Sequence, residues 1–272
     1  MSRYFAKVAT NVMSVGLGSA GIGGLINGAS KISVAAKVMA VDALAAFATG
    51  NGIVGVKVDG ASAGVFMCLD PVTASPNNRL RCIVRSVSTD AGQVCAGSTN
   101  LSMSTAYSIG LLADIAGDSL TSFINGAVDT GPTAVTFGNT TWTLGTPTID
   151  DSIGQHGAAL GDVNSYFGGN VSEVAVWTDD IGAAGHAAYN KDISPLQIMP
   201  DKLVFYLPLV GRVSPEPELV SKRVGTITGT IAQAAHPRVI RPHRRVSRRL
   251  VTAAAGVSRQ PYFYQHVAGM AG

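Results

Sequence analysis

Apolar residues recur at every second position in short runs along much of this chain, the spacing of strands that bury one face. Residues 79–85 show it most plainly, with Leu80, Cys82 and Val84 alternating against Arg79, Arg81 and Arg85. Comparable runs occupy residues 32–38, 53–58, 64–69, 106–113, 119–124, 140–144, 169–177 and 203–207. Turn residues punctuate them: Asp59-Gly60, Asp70-Pro71, Asn125-Gly126 and Pro208. Asn-Gly and Asp-Gly are hairpin signals, because both tolerate a left-handed backbone. Residues 225–232, rich in Gly, Thr and Ile, read as a closing strand. One short helix is expected over 183–190, after the capping signal Asp179-Asp180. Regular short strands with such turns predict an all-β sandwich.

The two ends look different. Residues 1–30 are glycine-rich and predict an N-terminal arm. Arg3 and Lys7 precede a mildly apolar stretch that imitates a signal peptide, but Asn11, Ser14, Ser19 and the glycines from Gly16 to Gly28 interrupt it. No apolar run reaches the roughly 18 residues that a membrane helix needs. The expectation is synthesis in a host cytoplasm, with no signal peptide and no membrane partner. Residues 236–272 carry seven arginines and no Asp or Glu, which leaves 13 basic against 17 acidic residues in the rest. The formal net charge of +3 therefore hides an acidic body and a basic C-terminal arm. The predicted organisation is an arm over 1–30, a sandwich over 31–235 and an arm over 236–272.

Composition narrows the chemistry. Charged residues make up only 14% of a chain that is 46% hydrophobic, so disorder is excluded and much of the surface is expected to meet partners. The three cysteines, Cys68, Cys82 and Cys95, lack the spacing of a zinc site or of a disulfide framework. They read as buried free thiols.

Residues 119–209 resemble the laminin-G-like, concanavalin-A-like superfamily, particularly versions found in phage structural proteins. Three features carry the resemblance. A strand ends in Asn125-Gly126. An aromatic-glycine strand runs from Tyr166 through Gly169 and Glu173 to Trp177. After a short helix comes Ser194-Pro195, Pro200 and the run from Leu203 to Leu209. The resemblance implies a two-sheet jelly roll in which Asn125-Gly126 forms a hairpin turn and Val171, Val174 and Val176 line the core. Asn125, Gly126, Gly169, Glu173 and Trp177 are the signature positions.

Candidate sites follow from these elements. Glycoside hydrolysis needs two carboxylates about 5–10 Å apart, and the strand over 169–177 offers only Glu173, with Val171 and Ala175 alternating on its flanks. Glu216 and Glu218 fall in a proline-rich loop. No nucleophile-elbow, zinc-protease or phosphate-loop motif occurs, and the chain is read as a non-enzyme with no cofactor. Asp150, Asp151, Asp162 and Asn164, with His156 among them, form a candidate calcium or ligand loop before Tyr166. Trp142 and Trp177 read as packing residues, and the histidines as ordinary surface or interface residues. In the C-terminal arm, Arg238, Arg241, Arg244, Arg245, Arg248 and Arg249 lack interleaved aromatics, so nucleic acid is not the expected partner. They are expected to pair with acids of a neighbouring subunit, with Tyr262, Phe263 and Tyr264 filling a pocket there.

The functional expectation is a structural phage virion protein, a capsid decoration or cement protein that binds the major capsid protein and other copies of itself through its arms. The alternative is a carbohydrate-binding adhesin of a fibre or tail, using the lectin-like fold on a host surface glycan.

Overall fold

Sixteen strands and two α-helices account for most of the ordered backbone in the computed structural model, which describes residues 2–5, 11–41, 51–56, 64–72, 77–155, 166–210, 214–229 and 231–235. All of these belong to one unit, Met1–Arg241. In chain order the elements are β1 (Ser2–Phe5), β2 (Val12–Gly16), α1 (Ile22–Ile26), β3 (Lys31–Ala40), β4 (Asn51–Val56), β5 (Gly64–Val72), β6 (Asn77–Arg85), β7 (Gln93–Asn100) and β8 (Ala106–Asp114). Then come β9 (Ser119–Ile124), β10 (Ala127–Ala134), β11 (Asp151–Ile153), β12 (Gly169–Trp177), α2 (Gly182–Asn190), β13 (Leu203–Leu207), β14 (Glu216–Pro217), β15 (Val224–Thr228) and β16 (Ala232–Ala234).

The strands form two eight-stranded sheets of antiparallel neighbours. The first has the order β10-β9-β8-β3-β12-β1-β16, with β13 also paired to β12. The second has the order β14-β15-β2-β11-β4-β5-β6-β7. Their inner faces close on one apolar core, which includes Phe5, Met13, Val34, Leu80, Leu111, Phe167, Val171 and Phe205, all buried. This is the packing that the period-two pattern predicts. The alternation read on residues 79–85 holds: Leu80, Cys82 and Val84 are buried and the arginines between them are half-buried. All three cysteines are buried free thiols.

The first sheet also covers its outer face in part. Ala35, Ala175, Trp177 and Tyr206 point outward and pack under Ile181 and Tyr189 of the α2 region and under Ile198. The N-cap of α2 is Ile181, and the N–H of Gly182, the first helical residue, donates to Oδ1 of Asp180 just before that cap at 2.7 Å. Trp177 Nε1 donates to Ile198 O at 2.7 Å, which fixes the segment after the helix. The second half of β12, Val174–Trp177, is thus buried on both faces, and it is apolar throughout for that reason.

Several expectations are corrected. Residues 1–30 are not an arm, since β1 lies between β12 and β16 and β2 lies between β15 and β11. Their small, apolar and sparsely charged residues suit interior strands as well as a flexible lead. Arg3, buried among them, forms a 2.5 Å ion pair with Glu216. Residues 140–144 form no strand. Trp142 N–H donates to Ala29 O, Gly28 N–H donates to Trp142 O, and Leu144 N–H donates to Asn27 Oδ1. Those backbone groups find their partners in the turn after α1, not in a ladder. Residues 225–232 divide into β15 and β16, which lie in different sheets, and Gly229 between them has φ +81°. β5 continues through Asp70-Pro71 to Val72. Its pairing to β4 ends at Leu69, so Pro71 has a strand neighbour on β6 alone. Glu216, expected in a loop, lies in β14, and Glu218 follows that strand; both are buried. The Asp59-Gly60 turn lies outside the described residues, as does the predicted C-terminal arm.

A polar groove on the outer face of the first sheet

α2 covers part of the outer face. Under the helix the cross-strand neighbours are small: Gly110 on β8 pairs with Ala35 on β3, which pairs with Ala175 on β12. Where the helix ends, the outward positions become polar. Ser108, Lys37 and Ser172 form one row across β8, β3 and β12. Ala106, Met39, Asn170 and Tyr4 form the next row, ending on β1. These rows floor an open groove of about 380 Å³, walled by Asn125 of the β9–β10 turn and by Asn190 and Asp192 at the end of α2. Tyr107, Ser2 and Ala235 complete its lining along with Val38.

The polar groups of the groove are positioned by named contacts. Asn125 has φ +51° and Gly126 φ +79°, both left-handed, as a two-residue hairpin requires. Asn125 Oδ1 accepts from Ser108 N–H at 3.1 Å, and Asn125 N–H donates to Ser108 O at 2.7 Å. A Cβ on Gly126 would lie 2.7 Å from Ala187 Cα, so the turn is seated against α2. Lys37 Nζ pairs with Asp192 Oδ1 and lies 5.5 Å from the centroid of the Tyr189 ring. Asn170 Oδ1 is screened from solvent and has no hydrogen-bond partner among the described residues. Gly169 starts β12 so close to β3 that a Cβ there would meet Met39 O at 2.2 Å, which explains glycine at this signature position.

The remaining signature residues build the fold. Val171 faces the inter-sheet core, Ala175 faces the α2 side, and Val174 and Val176 face the core again. Two residues three apart share a face because β12 bulges between Ser172 and Ala175, with Glu173 at φ +56°. The simple alternation expected of Val171 and Ala175 about Glu173 fails for this reason. Glu173 is buried: Tyr206 Oη donates to its Oε2 at 2.5 Å, and Tyr189 Oη donates to its main-chain oxygen at 2.6 Å. Burial beside Glu173 pushes the Tyr189 phenol well above its ordinary range. Trp177 and Trp142 are buried, as expected of packing residues.

Of the candidate calcium or ligand loop, Asp150 and Asp151 lie among the described residues. Asp151 is buried, and its Oδ2 accepts from Gly23 N–H at 2.7 Å, holding α1. Asp150 is exposed and accepts from Ser14 Oγ. Asp162, Asn164 and His156 lie outside the described residues, as do Arg238, Arg241, Arg244, Arg245, Arg248, Arg249, Tyr262, Phe263 and Tyr264. No cluster of His, Cys, Asp or Glu among the described residues has the arrangement of a metal site. No helix among them is long and apolar enough to cross a membrane.

His186, expected at a surface, is buried instead. It stacks on Phe123 with ring centroids 3.8 Å apart, and the absence of a side chain at Gly110 makes room for it. Burial lowers its pKa from the ordinary 6.5 to about 3. Glu218 accepts from the main-chain N–H groups of Tyr206, Val220 and Ser221, which gives it a structural role.

The groove residues Lys37, Met39, Ser108, Asn170, Ser172, Asn190 and Asp192 were not singled out from the sequence. For Lys37, Ser108, Asn170 and Ser172 the signal is a polar outward position at matched register on three strands. That signal is visible only once β8, β3 and β12 are known to be neighbours.

No protein-family model and no curated protein sequence matches the chain. Among solved structures, a putative carbohydrate binding protein from Bacteroides ovatus superposes with a TM-score of 0.59 at 17% identity, over 88% of this chain and 61% of that one. This chain thus spans about three fifths of that protein's length. A heptameric SAP-like pentraxin from Limulus polyphemus superposes with a TM-score of 0.53 at 9% identity, over 85% of this chain and 94% of that one. At such identities the likeness is one of fold, and with the two antiparallel sheets it establishes the architecture: the chain is an all-β, concanavalin-A-like two-sheet jelly-roll sandwich.

Proposed function

We propose that this domain is a carbohydrate-binding module whose glycan lies in the groove beside α2. The observation that carries the reading is the lining itself. Amides and hydroxyls from β8, β12, a rigid turn and the end of α2 converge there with Met39 of β3 and Tyr107. A sugar offers hydroxyls that donate and accept, and C–H faces that pack on apolar side chains. A shallow cleft with fixed polar groups and some apolar surface suits it. The fold shared with a putative carbohydrate binding protein supports the reading, although folds alone do not set ligands.

The site binds without turnover. Asp192 is the one carboxylate among the described lining residues, and it is paired with Lys37. The paired carboxylates of a glycosidase are not assembled among those residues. Amides and hydroxyls hold the glycan directly, without calcium. A glycan array probed with the whole chain, with and without a chelator, tests this. Bound glycans that persist in chelator and are recovered intact are the expected result. A blank array, or release of shortened glycans, refutes it.

A virion setting is a second reading, favoured by the division of charge between an acidic body and seven arginines after residue 235. In it, the chain is a surface component of a phage particle, assembled with other copies and shell proteins such as the major capsid protein through residues 236–272. Those residues are removed in the test. Loss from particles supports the reading, and undiminished incorporation refutes it.

A further inference from the structure

The chemistry of the groove also selects among glycans. Resting on the carbohydrate-binding reading, we infer that the ligand is an uncharged oligosaccharide, and that Asn125 and Asn170 are the residues that recognise its hydroxyls. Three observations lead there.

Among the described residues the lining of the groove carries no net charge. Lys37 and Asp192 are its charged members, and they are in contact with each other. The Lys37 side chain is only 12% exposed, and its ammonium also lies over the Tyr189 ring. A carboxylate or sulfate on the ligand would have to displace Asp192 from a largely desolvated ammonium, exchanging one ion pair for another with little gain. Otherwise it would lie beside the Asp192 carboxylate, which repels it. No arginine, the residue best shaped for carboxylates and sulfates, belongs to the described lining.

Asn125 is a preorganised donor. Its Oδ1 is committed to Ser108 N–H, which fixes which way the amide points. The Nδ2 group is therefore the end presented to a ligand, and the left-handed turn that carries it is seated on α2. Little side-chain freedom remains to be lost on binding.

Asn170 is an acceptor in need of a donor. Its Oδ1 has no partner among the described residues, and an unsatisfied amide oxygen is costly in a folded protein. Rotation of the terminal amide toward the groove gives it one when a sugar hydroxyl is present. Donor and acceptor amides on one floor match the dual character of an alcohol. They do not match an anion, which accepts only.

The test uses the full chain and an array of neutral glucose, galactose, mannose and N-acetylglucosamine oligomers, printed beside sialylated, uronic and sulfated counterparts. Binding is expected on neutral members. By calorimetry, affinity for the best of them should hold within about twofold between about 0.05 and about 0.5 M NaCl. Asn125→Gly keeps the left-handed turn while removing the amide, and Asn170→Ala removes the acceptor. Each should weaken binding by about tenfold or more in a protein that still unfolds cooperatively well above the assay temperature. Preference for acidic members, or strong salt dependence, overturns the inference while leaving carbohydrate binding intact. Neutral glycans bound equally well by a folded Asn125→Gly variant overturn it too. A wholly blank array overturns the carbohydrate-binding reading and this inference together.

Discussion

Tyr206 Oη donates to the buried Oε2 of Glu173, from the strand that pairs with the second half of β12. The contact sits at the bulge that returns Val174 to the core, so one residue carries both a backbone irregularity and its polar compensation. Glu173→Ala removes the acceptor of the Tyr206 hydroxyl and should cost about 1–3 kcal/mol in urea denaturation. Glu173→Gln, which keeps an acceptor oxygen, should lose less. Neither change should alter glycan affinity, because Glu173 is not among the groove residues. A Glu173→Gln variant that folds normally and loses binding would contradict the assignment of the site.

Arg3 and Glu216 form a buried ion pair between β1 of one sheet and β14 at the margin of the other. At the opposite margin Asp129 of β10 accepts from Ser98 and Thr99 of β7, so both sides of the sandwich are stitched by polar contacts. Arg3→Ala leaves a buried carboxylate and should destabilise by about 3–5 kcal/mol. The double change Arg3→Met with Glu216→Leu should recover most of that loss, as read from paired denaturation curves. Deletion of residues 1–16, harmless to a true arm, should abolish cooperative unfolding.

His186 gives the fold a pH dependence of known sign. Its pKa is about 3 in the folded protein, against an ordinary 6.5 that serves for the unfolded chain. Between those values the unfolded chain binds the extra proton. Stability from this group is therefore complete above about pH 6.5 and falls by up to about 1.4 kcal/mol per unit on acidification toward pH 3. Carbon-detected NMR should show a His186 ring that does not titrate between pH 7 and pH 4. A ring with a midpoint near 6.5 would mean that the side chain is solvated.

Gly126 is held by both conformation and space. Gly126→Ala must adopt φ +79° and place its methyl group 2.7 Å from Ala187 Cα. The left-handed backbone alone costs about 1–2 kcal/mol, and the clash adds to it. Thermal unfolding should shift down accordingly. An unchanged midpoint would show that α2 yields readily and that the groove wall is not rigid.

The sequence alone carried the local rules. Period-two runs predicted strands such as β6, β8, β9 and β12, Asn125-Gly126 predicted its hairpin, and Asp179-Asp180 predicted the start of α2. These depend on backbone preference and one-sided burial, which neighbouring residues encode. What only the tertiary structure decided was partnership. The strand order placed β8, β3 and β12 side by side and so assembled the groove from segments scattered between Ser2 and Ala235. It also drew the glycine-rich start into both sheets and buried His186, Glu216 and Glu218. A residue's partner across a sheet is set by the fit of whole apolar faces, and no short stretch of chain contains that information.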